Sequence, residues 1–341
     1  MTEFLFSYGL FIAKVITSLL ALVFAIAIIG GSRKREEDAV LRVTNLNDKY
    51  KAVQESVTGA IMDKKEFKQR TKDLVKEAKK KEKDDTKNKL RPKLYVLEFE
   101  GDIKASEVKT MRDEITAVLS VAQPQDEILL KLDNSGGAVH EHGLAASQLL
   151  RIKNAKLNFT VSVDKVAASG GYMMACVADK IVAAPFAILG SIGVLAQIPN
   201  FNRLLDKAGI DFEQHTAGEY KRTVTMFGKN SDKERDKLKL DLLETHVLFR
   251  DFVSSNRPKL DIDKVATGEH WYGTQALDLN LVDEIKTSDE LLIEALEVFD
   301  IYEVKMEIKK GLQDKILGGL FASIEKLSSG LASKQNKSKY Y

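Results

Sequence analysis

The sequence predicts an α/β fold with a largely parallel, buried sheet, preceded by an N-terminal transmembrane helix and a charged helical stalk. Three observations carry this reading. From Pro92 onward, short apolar runs alternate with helix-patterned stretches, an order that produces right-handed crossovers between parallel strands. Residues 4–31 hold Lys14 as their one charge, while residues 33–93 hold 20 basic against 12 acidic residues, a net of +8, and their stretch KDLVKEAKKKEKDDTKNK has almost no apolar stripe. The whole chain of 341 residues is 44% apolar and 30% charged, which excludes collagenous and wholly disordered classes. Cys176 is its one cysteine, so an intrachain disulfide and zinc sites built on several cysteines are excluded as well.

Taken in order, residues 1–32 form the anchor. Residues 15–31 are 17 uncharged positions, and at about 1.5 Å each they rise ~26 Å as a helix, enough to cross the apolar core of a bilayer with Lys14 snorkelling. A cleaved signal peptide is the rival, with Gly30, Gly31 and Ser32 as its exit. It lacks an A-x-A pattern, and Arg33, Lys34 and Arg35 would resist translocation. The same three basic residues place the rest of the chain in the cytoplasm by the positive-inside rule. Residues 33–92 are the stalk or linker. Within it Val40, Val43, Leu46, Tyr50, Val53 and Val57 recur at spacings of three and four, predicting an amphipathic helix, and the lysines suit either anionic lipid or plain solvation.

Residues 93–308 form the globular domain. Strands are expected at 94–103, 128–133, 157–163, 181–184, 192–196 and 302–308, and helices at 105–122, 138–152, from Gly171 to Asp179, after residue 230 up to Pro258, and at 288–298. Residues 309–341 are an amphipathic helix and tail, with Leu312, Ile316, Leu320, Ile324, Leu327 and Leu331 on one side. That side fits a membrane interface, a neighbouring subunit or the core. Because residues 1–32 are balanced and residues 33–93 carry +8 of a total of +2, residues 94–341 are net −6, which disfavours nucleic acid as a partner.

In such sheets ligands gather where strands end and helices begin, and two glycine-bearing turns fall there, NSGG at 134–137 and AASGG at 167–171. Ser169 suits a helix N-cap, or a nucleophile whose small neighbours admit a substrate, with the Gly170 amide aimed at an oxyanion. No histidine presents itself as its base. His140 and His142 are two apart, not the H-E-x-x-H arrangement of a zinc site, so no metal is assigned. A lysine is the other class of base. Lysine titrates near ~10.4 in water, so a site that uses one must disfavour the ammonium. Lys221, in HTAGEYKRT, is one candidate among many surface lysines. Tyr172, Met173 and Phe186, near these turns, suit either a pocket for apolar peptide segments or the core.

The run VDKVAASGGYMMACVADKIVAAPFAILGSIGVLAQ at 163–197, HTAGEYKRT at 215–223 and ATGEHWYGTQALDLNLVDEI at 266–285 together resemble the signal peptide peptidase A family, over the chain from the anchor to roughly residue 300. The resemblance implies a ClpP/crotonase-like fold and a serine/lysine peptidase needing no cofactor. Its motifs carry the nucleophile to Ser169, the general base to Lys221, and the oxyanion amides to Gly170 and to Gly136 or Gly137. Ser191 in GSIGV becomes a support for the dyad or a turn residue. It further implies peptide or protein substrates such as signal peptides or misfolded envelope proteins, and a ring-like homo-oligomer whose dyad can span two subunits. It places the chain in the bacterial inner membrane with the catalytic domain outside, opposite to the charge rule, so the side stays open. One departure stands out: Ser135 precedes the paired glycines where relatives usually carry proline, whose ring would stiffen the turn. Two other classes remain in view, a crotonase-like acyl-CoA enzyme and a catalytically silent membrane scaffold.

Overall fold

The computed structural model describes residues 39–63 and 91–308, most of 3–18 and scattered positions within 65–76. Two compact units divide the chain, Leu41–Met306 and a second made of Met1–Val40 with Glu307–Tyr341. In the second unit the described residues within 3–18 are helical, and Phe4, Phe6 and Phe11 are exposed on them. No helix among the described residues is long and apolar enough to cross a membrane. The expected span falls mostly on residues outside those described, as do most of the lysine-rich part of the stalk and the whole of 309–341.

The sheet-bearing part opens with β1 (Ala39–Asn45), α1 (Leu46–Ile61), β2 (Lys93–Gly101), α2 (Val108–Val121), β3 (Glu127–Asn134) and α3 (Val139–Asn154). It continues with β4 (Asn158–Val163), β5 (Val166–Ala168), α4 (Gly170–Ala175), β6 (Lys180–Ala183), β7 (Ile188–Gly190), α5 (Asn202–Lys207) and α6 (Asp232–Asn256). The last elements are α7 (Ile262–Val265), β8 (His270–Tyr272), α8 (Gly273–Asp278), β9 (Glu284–Ile285), α9 (Ser288–Ala295) and β10 (Asp300–Ile308). The strands lie in the order β1, β10, β2, β3, β4, β6, β9, and from β10 to β9 every neighbour runs parallel. A branch leaves this path at β3, through parallel β5 and β7 to antiparallel β8. The fork lies at the end of β3, where Lys131 pairs with Ser162 of β4 but Asn134 pairs with Ala167 of β5.

Both faces of the sheet are covered, as parallel strands require. Alternation along β2 sends Tyr95, Leu97 and Phe99 to one face, against Met111 and Ile115 of α2, Leu149 and Ile152 of α3 and the apolar side chains of α4. Leu94 and Val96 go to the other face, with Leu46 of α1 and Leu292 of α9. Two expectations are corrected here. The helix expected from Val40 begins at Leu46, where the Asn45 side chain accepts the Asp48 amide as N-cap. Val40 and Val43 lie in β1 beside β10, because the β-branched run AVLRVTN suits a strand. The strand expected at 192–196 is absent. Extended structure occurs at Ile188–Gly190, and positive φ at Gly190 (94°) and Ser191 (51°) ends it.

Glu114 of α2 is 4% exposed and accepts the Met306 amide at 2.7 Å. Burial, opposed by that bond, pushes its carboxyl up from 4.5 to about 7. A carboxyl raised on folding penalises the folded state once pH passes its unfolded value, and the penalty is complete above the folded one. Glu114→Gln keeps the acceptor and removes the charge. It is expected to raise unfolding stability by about 2 kcal/mol near pH ~8 and by nothing near pH ~4, read by chemical denaturation at both.

Candidate active site

Ser169 stands between β5 and α4 at φ 53°, ψ −118°, a conformation that non-glycine residues rarely adopt. It occupies the N-cap position, yet its side chain makes no capping bond. The backbone holds it from both sides: its amide donates to Gly190 O at 2.8 Å and its carbonyl accepts from Met173 N at 3.0 Å. A strained strand-to-helix turn of this kind lifts a hydroxyl above the carboxyl ends of the strands. The residue is half-buried, while Ala167, Ala168, Gly170 and Gly171 around it are buried.

The small size of these neighbours serves inward packing. A Cβ at Gly170 would lie 2.4 Å from Cγ of the His142 ring, and one at Gly171 would lie 2.0 Å from Asn134 O. Backbone cannot yield there as a side chain end would, so Gly171→Ala is expected to cost about 3 kcal/mol, measured by urea unfolding.

The NSGG turn closes on the serine from the end of β3. Gly136, at φ 90°, is so placed that a Cβ would lie 2.7 Å from Ser169 Cβ and 2.9 Å from Gly170 N. The Gly136 amide donates to Asn134 Oδ1 at 2.8 Å. Gly137 packs on residue 103, where a Cβ would lie 2.2 Å from Ile103 O, and the next residue ties down through Ala138 N to the same oxygen at 2.9 Å. Among the described residues no protein group accepts the amides of Gly137 or Gly170.

Sequence, local turn geometry and packing thus bring Ser169, Gly170, Gly136 and Gly137 together. Lys221 is placed elsewhere on the chain, in the exposed irregular segment between α5 and α6, with its amide on Gly218 O at 3.2 Å. No hydrogen bond joins it to Ser169 within the chain among the described residues. Its ammonium also has no acidic partner there, whereas Lys233, Lys237 and Lys239 are ion-paired with Glu219, Asp241 and Asp236. Ser191 lies in the adjoining loop, its amide donating to Glu269 O at 2.6 Å. Tyr172 and Met173 belong to the core, and the Tyr172 hydroxyl donates to Leu281 O at 2.9 Å. Phe186 is exposed, edge-on to Tyr272. Cys176 is buried, and burial pushes its thiol up to about 12, so it is no rival nucleophile.

His142 is the residue that sequence reasoning passed over. Set aside there both as a base and as a metal ligand, it proves fully buried beneath Gly170, with Nδ1 3.0 Å from Ala138 O and Nε2 3.2 Å from Asn134 Oδ1. His140 is exposed, its Nε2 3.6 Å from Glu141.

A serine on a strained elbow beside two uncommitted glycine amides is an arrangement that acyl transfer through a serine can use, and so points to the class of serine peptidases. Comparison with known proteins agrees. Residues 3–149 match Peptidase family S49 N-terminal, and residues 151–300 match Peptidase family S49. The chain is 47% identical over 326 residues to the probable protease SohB of Haemophilus influenzae, covering 92% of each. It is 48% identical over 335 residues to the probable protease SohB of Buchnera aphidicola subsp. Acyrthosiphon pisum, covering 94% of each. Among solved structures, a mutant of the 1510-N membrane-bound stomatin-specific protease aligns at 15% identity and a TM-score of 0.39, over 61% of this chain and 86% of that one, too loosely to bear on the fold. The chain belongs to peptidase family S49 and is a serine peptidase.

Proposed function

We propose that this chain is a membrane-anchored endopeptidase of the bacterial inner membrane in which Ser169 is the nucleophile and Lys221 the general base. The observation that carries the proposal is the Ser169 elbow: a strained, half-buried serine that caps nothing and faces the Gly136–Gly137 turn. In the first step the Ser169 hydroxyl passes its proton to the Lys221 amine, and Oγ attacks the substrate carbonyl. The amides of Gly170 and Gly137 hold the oxyanion, since the Gly136 amide is already given to Asn134. The proton then moves to the leaving amine, and water hydrolyses the ester on Ser169. Ser191, at the end of β7 beside the nucleophile strand, supports the dyad.

Because no hydrogen bond joins the two side chains within one chain among the described residues, the proposed dyad is completed by a neighbouring subunit of a ring-like homo-oligomer. The stretch from residue 195 to 227, which includes Lys221, exposes Leu195, Leu204, Ile210, Phe212 and Phe227, apolar surface of the kind that subunit contact covers. The proposed architecture is ClpP/crotonase-like, with the anchor in residues 1–32 and no metal or cofactor in the reaction. Signal peptides or misfolded envelope proteins are the proposed substrates. The test is hydrolysis of an unfolded protein by the detergent-solubilised full chain. Cleavage without added metal or coenzyme A supports the reading, and a folded oligomer that cleaves no unfolded substrate contradicts it.

A further inference from the structure

The turn beside the nucleophile must hold its amides still, yet it has Ser135, which is exposed, before two glycines, so nothing in its own backbone restricts it. Beyond the tie of Ala138 N to Ile103 O at its far end, the restriction comes from side chains. Asn134 is 1% exposed at the fork of the sheet; its Oδ1 accepts Gly136 N at 2.8 Å and lies 3.2 Å from His142 Nε2. Its Nδ2 points to Met174 Sδ at 3.4 Å, and its backbone oxygen presses on Gly171. His142 Nδ1 lies 3.0 Å from Ala138 O, so a neutral ring donates either to that oxygen or to Asn134 Oδ1, and the Gly170 backbone lies on the ring. One buried amide therefore ties the NSGG turn to α3, and the ring it binds forms the floor under the first residues of α4.

We infer that Asn134 and His142 are positioning residues that preorganise the oxyanion turn, the side chain of Asn134 doing through its bond to Gly136 N what a proline at position 135 would do through its ring. A hydrogen bond donated by the backbone N–H of residue i+2 to the side-chain amide oxygen of residue i fixes a turn in the manner of an Asx-turn, and a serine hydroxyl oxygen does the same more weakly. Preorganised donors act on the transition state, so their loss lowers kcat and spares KM. The inference rests on Ser169 as the nucleophile.

Two substitutions in the full-length oligomer separate positioning from packing. Asn134→Ser keeps an acceptor for Gly136 N, and Asn134→Leu keeps the bulk without it. Both lower the melting temperature, but the expected kcat is within about 3-fold of the parent for serine and about 10- to 100-fold lower for leucine, with KM unchanged. Adding Ser135→Pro to the leucine variant is expected to return most of the lost kcat, since Asn134 is extended and tolerates a following proline. His142→Phe, which keeps the ring and loses both nitrogens, is expected to lower kcat about 3- to 10-fold and covers the case in which the leucine variant does not fold. A folded leucine variant with parental kcat, equal kcat losses in the serine and leucine variants, or an unaltered kcat in His142→Phe overturns the inference. Labelling of Ser169 by a fluorophosphonate in the parent reads the nucleophile assignment separately. If Ser169 labels and the Asn134 variants keep full kcat, the inference alone fails. If Ser169 does not label, the reading beneath it fails.

Discussion

Replacing Ser169 with alanine is expected to reduce kcat for an unfolded protein substrate by about 10⁴-fold or more, leaving the residual rate that binding and oxyanion stabilisation alone provide. The change deletes one oxygen from a side chain that makes no capping bond, so the α4 start loses no partner. Alanine inherits the same positive φ, so the strain of the elbow is carried over rather than released. Unfolding stability should therefore stay within about 0.5 kcal/mol of the parent, and the activity loss cannot be charged to misfolding. Steady-state kinetics and a denaturation curve on the same preparation check both halves.

Lys221→Ala carries the second large effect, a fall in kcat of about 10³-fold, in the range of a lost general base. An exposed lysine without an acidic partner offers nothing to folding that alanine would remove. The more telling experiment mixes two inactive proteins. If serine and lysine meet across a subunit boundary, co-assembled Ser169→Ala and Lys221→Ala chains place an intact pair at roughly a quarter of the sites by random assortment, and activity returns. If each chain completes its own dyad, the mixture stays silent. Activity from the mixture at a level set by mixing ratio is the expected result.

The parallel sheet was legible in the sequence because its strands are apolar on both faces, and β2, β3 and β4 fall within two residues of their expected ends. Long helices were legible for a related reason. The Ser231 capping box and Pro258 bracket α6, and local chemistry of that sort survives without tertiary context. Elements decided by pairing were misread. β1 follows a helical spacing in its valines and is drawn into the sheet by β10, and β7 stops where two positive-φ residues turn the chain, a conformation with no signal at Ser191.

The candidate site divides along the same line. Ser169 and the glycines were visible because close backbone approach demands small residues in two facing turns. What they approach was hidden: Asn134 and His142 fill the space under them, and their meeting depends on how α3 packs against α4. A signal existed in the glycines themselves. Four small residues around a serine imply something bulky pressed beneath them, and the buried ring of His142 is that object. Lys221 was reachable through resemblance alone, since neither its spacing nor its exposure sets it apart from its neighbours.

Hydrolysis by this route depends on activation of the Ser169 hydroxyl by Lys221. Intact-mass and peptide mapping of the detergent-solubilised full chain after treatment with a fluorophosphonate measures this directly. One adduct per chain on Ser169 is the predicted result, with the labelling rate cut about 10²-fold or more in Lys221→Ala. A folded assembly that takes no adduct on Ser169, or one labelled there equally fast without the lysine, would contradict it.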